Sequence, residues 1–332
     1  MLLQLSEHEF FCKITLVLSF TAVLMFDLEK AKKIFNSPLL ELLYNAQTVH
    51  KQNFDITKMQ LCTLLSIQTG GCPEDCAYCA QSKRNKNRAP MERITNLEEI
   101  TRAAREAKEM GASRFCLGAS GRKPSQELLE LVCKAIVEIK KLGLNACCCM
   151  GTLNENEVVQ LKKGGLDYYN HNIDTSPEYY KSIITTRTIE ERMNTLTLCQ
   201  QHGIKICTGG ILGIGESNED RISMLLKLKS LGKDPDLITI NKLVKIPGTP
   251  LEDAPEIDSF DLVRFLALAR IMFPRSFLKL SAGRETMSAE LQTLCFFAGV
   301  NSIFIGKKLL TVNNSRYTDD LALLKKLGFT YD

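Results

Sequence analysis

Tryptophan is absent from this chain of 332 residues, and aromatic residues make up only 7% of it. A surface that stacks nucleic-acid bases needs aromatic faces, and no such platform is evident. The net charge is +4, too small an excess to argue for a nucleic-acid partner. The apolar run Ile14 to Phe26 holds about thirteen residues, short of the ~20 that a spanning helix needs. Glu7, His8 and Glu9 precede it, where a secretory signal would carry basic residues, and no small-residue cleavage site is obvious. Residues 1–24 are therefore read as an extension upstream of the native start. A weak membrane-associating or buried helix is the alternative for them. No linker or shift in composition divides the remainder, so residues 25–332 are read as one domain.

Hydrophobic residues make up 45% and charged residues 24%. That suffices for one large core or two modest ones. The 13 cysteines stand out. Small secreted domains use many cysteines as disulfide staples, but this chain is far longer than those scaffolds. An odd count also argues against full pairing. The expectation is a cytoplasmic protein with reduced thiols, several of which serve metal.

Three of them lie in Gly70-Gly71-Cys72-Pro73-Glu74-Asp75-Cys76-Ala77-Tyr78-Cys79, spaced C-x3-C-x2-C. The glycines let the backbone turn tightly before the first thiol. Pro73 stiffens the turn after that thiol. No fourth cysteine is near. Closed zinc and iron–sulfur sites take four protein ligands, so three leave one iron of a cluster open to a substrate or cofactor. Half of a zinc site with a distant fourth ligand, or unliganded thiols, are the bland readings.

An alternation of elements begins at Leu64–Ile67. Strand-like runs recur at Arg114–Leu117, Leu144–Cys149, Leu166–Asn172, Ile204–Thr208, Leu237–Leu243, Phe277–Ser281 and Ser302–Ile305. Helical patterns fill the gaps, with stops marked by Gly111, Gly143, Gly164, Gly203, Gly232 and Gly299. Residues 27–52 form a leading helical pattern broken at Pro38. Eight strand–helix units argue for an α/β fold, a single closed (β/α)8 barrel of TIM type with an N-terminal helix. An open doubly wound sheet is the alternative.

In such a barrel the chemistry sits at the C-terminal ends of the strands. Cys116, Cys147 to Cys149, Cys207, Asn170, His171, Asn172, Asp174, Asn241 and Lys279 all fall on or near them. Side chains two apart on a strand share a face. If the faces of Cys116, Cys207 and either Cys147 or Cys149 point inward, three thiols from three strands converge. Parity does not choose between Cys147 and Cys149. The other cysteines, Cys62, Cys133, Cys199 and Cys295, read as small buried apolar residues. Gly209 to Glu216 reads as a turn that opens a helix and lets backbone approach a ligand. No Gly-Lys-Ser/Thr comes after it to make it a phosphate loop. The basic segment Ser82 to Arg88 reads as a solvated loop, or more sharply as a docking patch for an acidic electron-donor protein.

The cysteine loop, with an aromatic residue before its last thiol, resembles the signature of the radical S-adenosylmethionine superfamily. Further stretches resemble the biotin synthase family within it. They are Arg114-Phe115-Cys116, Gly143-Leu144-Asn145-Ala146-Cys147, Tyr168-Tyr169-Asn170-His171-Asn172, Ile183-Ile184-Thr185-Thr186-Arg187-Thr188, Gly209 to Glu216 and Leu280-Ser281-Ala282-Gly283-Arg284-Glu285. The resemblance runs from about residue 27 to about residue 330.

That resemblance implies an enzyme inserting sulfur between two unactivated carbons of dethiobiotin to make biotin, the last step of biotin formation. It implies a 4Fe–4S cluster on Cys72, Cys76 and Cys79, whose open iron is chelated by S-adenosylmethionine. It implies a 2Fe–2S cluster on Cys116, Cys147 and Cys207 as sulfur donor, the pattern Gly-Leu-x-x-Cys selecting Cys147. The family's fourth ligand is an arginine, and Lys279 stands there in this chain. Lysine is no equivalent of arginine, and its amine coordinates iron only when neutral. The position is either held by Lys279 or filled differently. The resemblance further implies S-adenosylmethionine contacts at Tyr78, Asn172, Asp174 and Arg192, and dethiobiotin contacts at Asn170, Asn172 and Asn241. It also implies a flavodoxin-type electron donor and a homodimer. Another radical enzyme on the same barrel would keep the loop cysteines without needing the interior three. An iron–sulfur carrier would bind no S-adenosylmethionine.

Overall fold

The computed structural model describes residues 26–86 and 88–331. The reading of residues 1–24 as an extension lies outside the described residues. Helices α1 (Leu28–Phe35) and α2 (Leu39–Asn53) lead the chain. Asp27 caps the first by accepting the Lys30 N–H at 2.7 Å, and Pro38 separates the two, since its ring suits a helix start and not an interior.

Eight parallel strands come next: β1 (Gln60–Thr69), β2 (Arg114–Ala119), β3 (Asn145–Cys149), β4 (Tyr168–Asn170), β5 (Lys205–Leu212), β6 (Leu237–Lys242), β7 (Phe277–Leu280) and β8 (Ser302–Phe304). Each pairs with the next, and β8 pairs back onto β1 through Gln60↔Ser302 and Cys62↔Phe304. The sheet is therefore a closed barrel, as the alternation of elements predicts. One short strand, Glu92–Arg93, pairs antiparallel to the end of β1.

The connecting helices are α3 (Leu97–Glu109), α4 (Gln126–Lys141), α5 (Glu155–Lys163), α6 (Ile189–Gln201), α7 (Asn218–Lys229), α8 (Ser259–Met272) and α9 (Ala289–Phe297), and α10 (Tyr317–Lys326) ends the chain. Their starts are written in the sequence. Asn154, Thr188 and Ser217 each form a capping box with the acidic residue three positions on. At the end of α5 the left-handed turn falls on Gly165 and not on Gly164, and Gly232 is not left-handed. No described helix is long and apolar enough to cross a membrane.

Alternation along the strands divides the apolar residues into two shells. Phe115, Leu117, Ala146, Cys148, Tyr169, Ile206, Ile238 and Leu278 face outward against the helices. Cys62, Cys116, Cys147, Tyr168 and Phe304 face inward. The segment after β8 forms a small hairpin, Lys308–Leu309 with Val312–Asn313, whose Leu309 packs on that interior group.

Candidate active site at the barrel mouth

β1 runs into the cysteine loop, and the loop is fastened at both ends. Gly70 and Gly71 both take positive φ. A Cβ on Gly70 would lie 2.7 Å from the carbonyl oxygens of Ala89 and Pro90, so the first turn admits no side chain. The Cys72 N–H donates to the Gln81 carbonyl at 2.9 Å, and the Cys72 carbonyl accepts from Lys83 at 2.9 Å. Asn85 closes the last turn, donating to the Cys79 carbonyl at 2.8 Å.

The stretch Ile183 to Thr188 clamps the middle. Thr185 and Thr186 donate backbone N–H groups to Asp75 at 3.0 and 3.2 Å. Burial pushes the Asp75 carboxyl up, but these hydrogen bonds win and hold it at about 2. The buried Glu74 meets Arg187 at 3.2 Å and Arg122 at 3.0 Å. Arg122 also pairs with Glu191 on α6. The carboxylates between the cysteines thus anchor the loop. The thiols stay free to bind metal.

Tyr78 reaches away from the loop. Its hydroxyl donates to Asp174 Oδ2 at 2.7 Å, and Arg192 Nη2 meets the same oxygen at 2.7 Å. Arg192 further donates to Tyr180 at 2.6 Å and to the Asn172 carbonyl. Tyr78, Asp174 and Arg192 therefore form one buried network, with Asn172 joined through its backbone. Asp174 lies just past β4 in a left-handed conformation, φ 69°. It is held there by its N–H to Gly209 at 3.1 Å and by Ile211 donating to its carbonyl at 2.9 Å.

The glycine-rich stretch differs from its reading. Gly209 to Leu212 continue β5, and only Gly213 to Glu216 form the turn. The glycines serve close approach of strands: a Cβ on Gly210 would meet the Asp174 carbonyl oxygen at 2.5 Å, and one on Gly209 the Thr239 oxygen at 2.0 Å. The turn's N–H groups bind the chain's own carboxylate. Glu216 accepts from Gly213 at 2.9 Å and Ile214 at 2.7 Å, and pairs with Arg221 at 2.6 Å. The anion favoured by such a turn is already supplied.

The interior thiols lie beneath this network. Register places Cys116 beside Cys147, Cys147 beside Tyr168, and Asn170 beside Cys207. Cys116 and Cys147 stand opposite each other in register, and their interaction draws the Cys116 thiol down and leaves Cys147 raised. Cys207 is reached by Asn170 Nδ2 at 3.1 Å and by the Thr239 hydroxyl at 3.1 Å. Cys149 shares the inward face and stands opposite Gly118, two residues nearer the strand end than Cys147. Cys148 faces the outer shell. Cys199 and Cys295 are buried and Cys133 half-buried, as read. Cys62 is buried too, and it lines the barrel interior.

Two cations share that interior. Arg114 is fully buried, its guanidinium stacks 3.5 Å from the Tyr168 ring centroid, and all three of its nitrogens lack a hydrogen-bond partner. Lys279 Nζ sits 3.9 Å from the Phe304 ring centroid. Burial opposes its charge, yet the attraction of Cys62, Cys116 and Cys207 raises its pKa. Orphaned donors beside several thiols are a poor arrangement for an empty core. They fit an anionic iron–sulfur cluster, whose sulfides accept hydrogen bonds. Among the described residues no three His, Cys, Asp or Glu side chains close tightly enough around one point to hold a single metal ion. A cluster holds its ligands apart across its own edges.

The candidate substrate amides divide. Asn172 has a buried Oδ1 without a partner. Asn241 bridges strands instead: its Nδ2 donates to Gly210 at 3.2 Å, and its Oδ1 accepts from Ala282 at 3.2 Å. Sequence reasoning missed Arg122, Thr239 and the interior placement of Cys62. Only the alternation along β1 and β6 carried a signal for the last two. Arg284 of the Leu-Ser-Ala-Gly-Arg stretch is buried and pairs with Asp320 on α10 at 2.6 Å, so its role is to hold the fold.

Comparison with known proteins accords with this geometry. Residues 66–229 match the model of the radical SAM superfamily, and residues 239–330 that of the biotin and thiamin synthesis associated domain. The first segment takes in the end of β1 and all of β2 to β5, and the second most of β6 to β8. The chain is 52% identical to a biotin synthase from Rickettsia felis over 91% of its length and 98% of the relative's. It is 53% identical to one from Neorickettsia sennetsu, covering 92% and 94%. Among solved structures, methylornithine synthase superposes with a TM-score of 0.78 at 19% identity, over 93% of this chain and 95% of the other. The FeFe-hydrogenase maturase from Carboxydothermus hydrogenoformans gives 0.79 at 20% identity, over 92% and 75%. At such identities these two speak for the fold alone.

Proposed function

The chain belongs to the biotin synthase family, and from that membership we propose that it inserts sulfur into dethiobiotin to form biotin by radical S-adenosylmethionine chemistry. The observation that supports the reading is that Cys116 and Cys147 face each other inside the barrel in the group that packs around Cys62 and Tyr168, with Cys207 of β5 held by Asn170 and the orphaned Arg114 stacked on Tyr168. When bound, a 4Fe–4S cluster on Cys72, Cys76 and Cys79 with S-adenosylmethionine supplies a radical able to take hydrogen from an unactivated carbon, and a 2Fe–2S cluster on Cys116, Cys147 and Cys207 supplies sulfide.

The chain's own residues bind, orient and shield. Asp174, fixed by Tyr78 and Arg192 through one oxygen, keeps the other as an acceptor for a ribose hydroxyl. The guanidinium of Arg192 has N–H groups left for a carboxylate. A cyclic urea offers one carbonyl and two N–H groups, which amides match. The unpartnered Asn172 Oδ1 suits one of those N–H groups. Asn170 and Asn241 add the second amide N–H that each keeps beyond its bond to Cys207 or Gly210. Asn170 also reaches Cys207, so the substrate amides and the inner thiols are adjacent. Arg114 and Lys279 offset the negative charge of the inner site. Leu309 folds over the interior and keeps water from reactive carbon.

Exposed Lys83, Arg84, Lys86 and Arg88 beside the cysteine loop suit an acidic, flavodoxin-type electron donor. The family habit of forming homodimers is carried over with it. The test is an anaerobic single turnover with reconstituted protein, S-adenosylmethionine, a strong reductant and dethiobiotin, read by mass spectrometry. Biotin together with 5′-deoxyadenosine is the expected outcome. Absence of both, from protein shown to hold its clusters, would sink the reading.

A further inference from the structure

Lys279 stands where the family places an iron-ligating arginine, and the structure offers a better ligand than its amine. Cys62 lies on β1, in register with Arg114 on one side and Phe304 on the other. Two residues along, Leu64 is opposite Cys116. Its neighbour Leu61 faces the outer shell, so parity turns Cys62 inward. It packs in the same interior group as Cys116 and Cys147. With Cys207, four different strands therefore each bring a cysteine to the interior, Cys149 adding a second from β3 nearer the mouth.

The thiol of Cys62 is placed but uncommitted. Its sulfur lies 3.7 Å from the Ser302 hydroxyl and 3.8 Å from Gln60 Oε1, long contacts for anything but a weak thiol bond. Register sets Cys62 between Arg114 on one side and Phe304, whose ring carries the Lys279 head group, on the other. Lys279, by contrast, has its head group over the face of Phe304, the posture of a cation on a ring.

We propose that Cys62 is the fourth protein ligand of the inner cluster, with Lys279 beside it as a charge-balancing cation that does not bind iron. The inference rests on the reading that Cys116, Cys147 and Cys207 hold a cluster at all. Thiolate is the ligand that iron–sulfur clusters favour, and four cysteines form the usual set for a 2Fe–2S centre. An ammonium beside the ligand sphere is an ordinary outer partner.

The test is anaerobic reconstitution with iron and sulfide, read by bound iron, acid-labile sulfide and Mössbauer spectra. The variants are Cys62→Ala, Cys62→Ser, Lys279→Ala, Lys279→Arg and Cys116→Ser. Cys62→Ala is expected to lose the inner cluster's iron, as Cys116→Ser does, while keeping the loop cluster, which reports that the fold is intact. Cys62→Ser, with oxygen for sulfur, is expected to shift the inner cluster's Mössbauer signal. Both lysine variants are expected to keep it. An unchanged inner cluster in Cys62→Ala, with loss in Lys279→Ala, overturns the proposal alone. No inner cluster in the unaltered chain overturns both it and the parent reading.

Discussion

Cys147 and Cys149 sit two positions apart on β3 and face the same interior, yet register sets Cys147 opposite Cys116 and Cys149 opposite Gly118. Cys149 is the last residue of β3, at its mouth end. Replacing Cys147 by serine is expected to remove the inner cluster's visible absorbance. The same change at Cys149 is expected to leave it. Equal loss in both would mean that the register does not select the ligand. Alternation in the sequence narrowed the choice to these two, because side-chain parity is local. It could not finish, because the partner on β2 is set by how neighbouring strands slide. Arg192 shows a related gap. Its position was legible, but its bonds to Asp174, Tyr180 and Asn172 come from three separate segments.

At the scale of elements, strand order and helix starts were readable from periodicity and caps. The glycine-rich stretch after β5 was not. Gly209 and Gly210 look like a ligand-binding turn, but their cause is an inter-strand approach that no local pattern reports. Gly210→Ala tests this. Its new Cβ would meet the Asp174 carbonyl oxygen at 2.5 Å and the Met224 sulfur at 2.2 Å. Backbone cannot give way cheaply, so a loss of roughly 1–3 kcal/mol is expected from overpacking. Because Asp174 moves with it, weaker S-adenosylmethionine binding by calorimetry should accompany the loss. A stable variant that binds normally would show that the approach is slack.

Helix α2 carries a second element-scale consequence. His50 is buried, without partners for either ring nitrogen. Burial, then the charge of Arg270, lowers its pKa from 6.5 to about 4. The unfolded chain takes up a proton near 6.5 that the folded chain refuses until about 4. Stability is therefore full above the unfolded value and falls as pH drops toward the folded one. The expected loss from pH 7 to about pH 5 is on the order of 2 kcal/mol. His50→Leu should flatten that slope in urea unfolding of the cluster-free chain. An unchanged slope would assign the acid sensitivity to other groups.

For the whole molecule, closure depends on contacts far apart in sequence, which is why the barrel was legible and its fastening was not. Arg284 is 1% exposed and Asp320 is 3% exposed. Their ion pair joins the turn after β7 to α10, and Arg284 also donates to the Phe304 carbonyl at 3.0 Å and to Gln292 at 2.9 Å. The chain end is tied in as well, with Met59 donating to Thr330 at 2.9 Å. Asp320→Ala leaves a buried guanidinium without its counter-charge, a change that costs about 3–5 kcal/mol. Replacing both partners by apolar residues removes that orphan, so Arg284→Met with Asp320→Leu should be less destabilised than Asp320→Ala alone. It should not regain full stability, because the buried Gln292 Oε1 then loses its donor and the Phe304 carbonyl keeps only Asn314. Phe304 carries Lys279 on its ring and lies beside Cys62, so the same single change should also weaken retention of the inner cluster. Urea midpoints and iron content measured on both variants check the two halves of the argument. A single variant as stable as the double one would show that Asp320 balances no charge there.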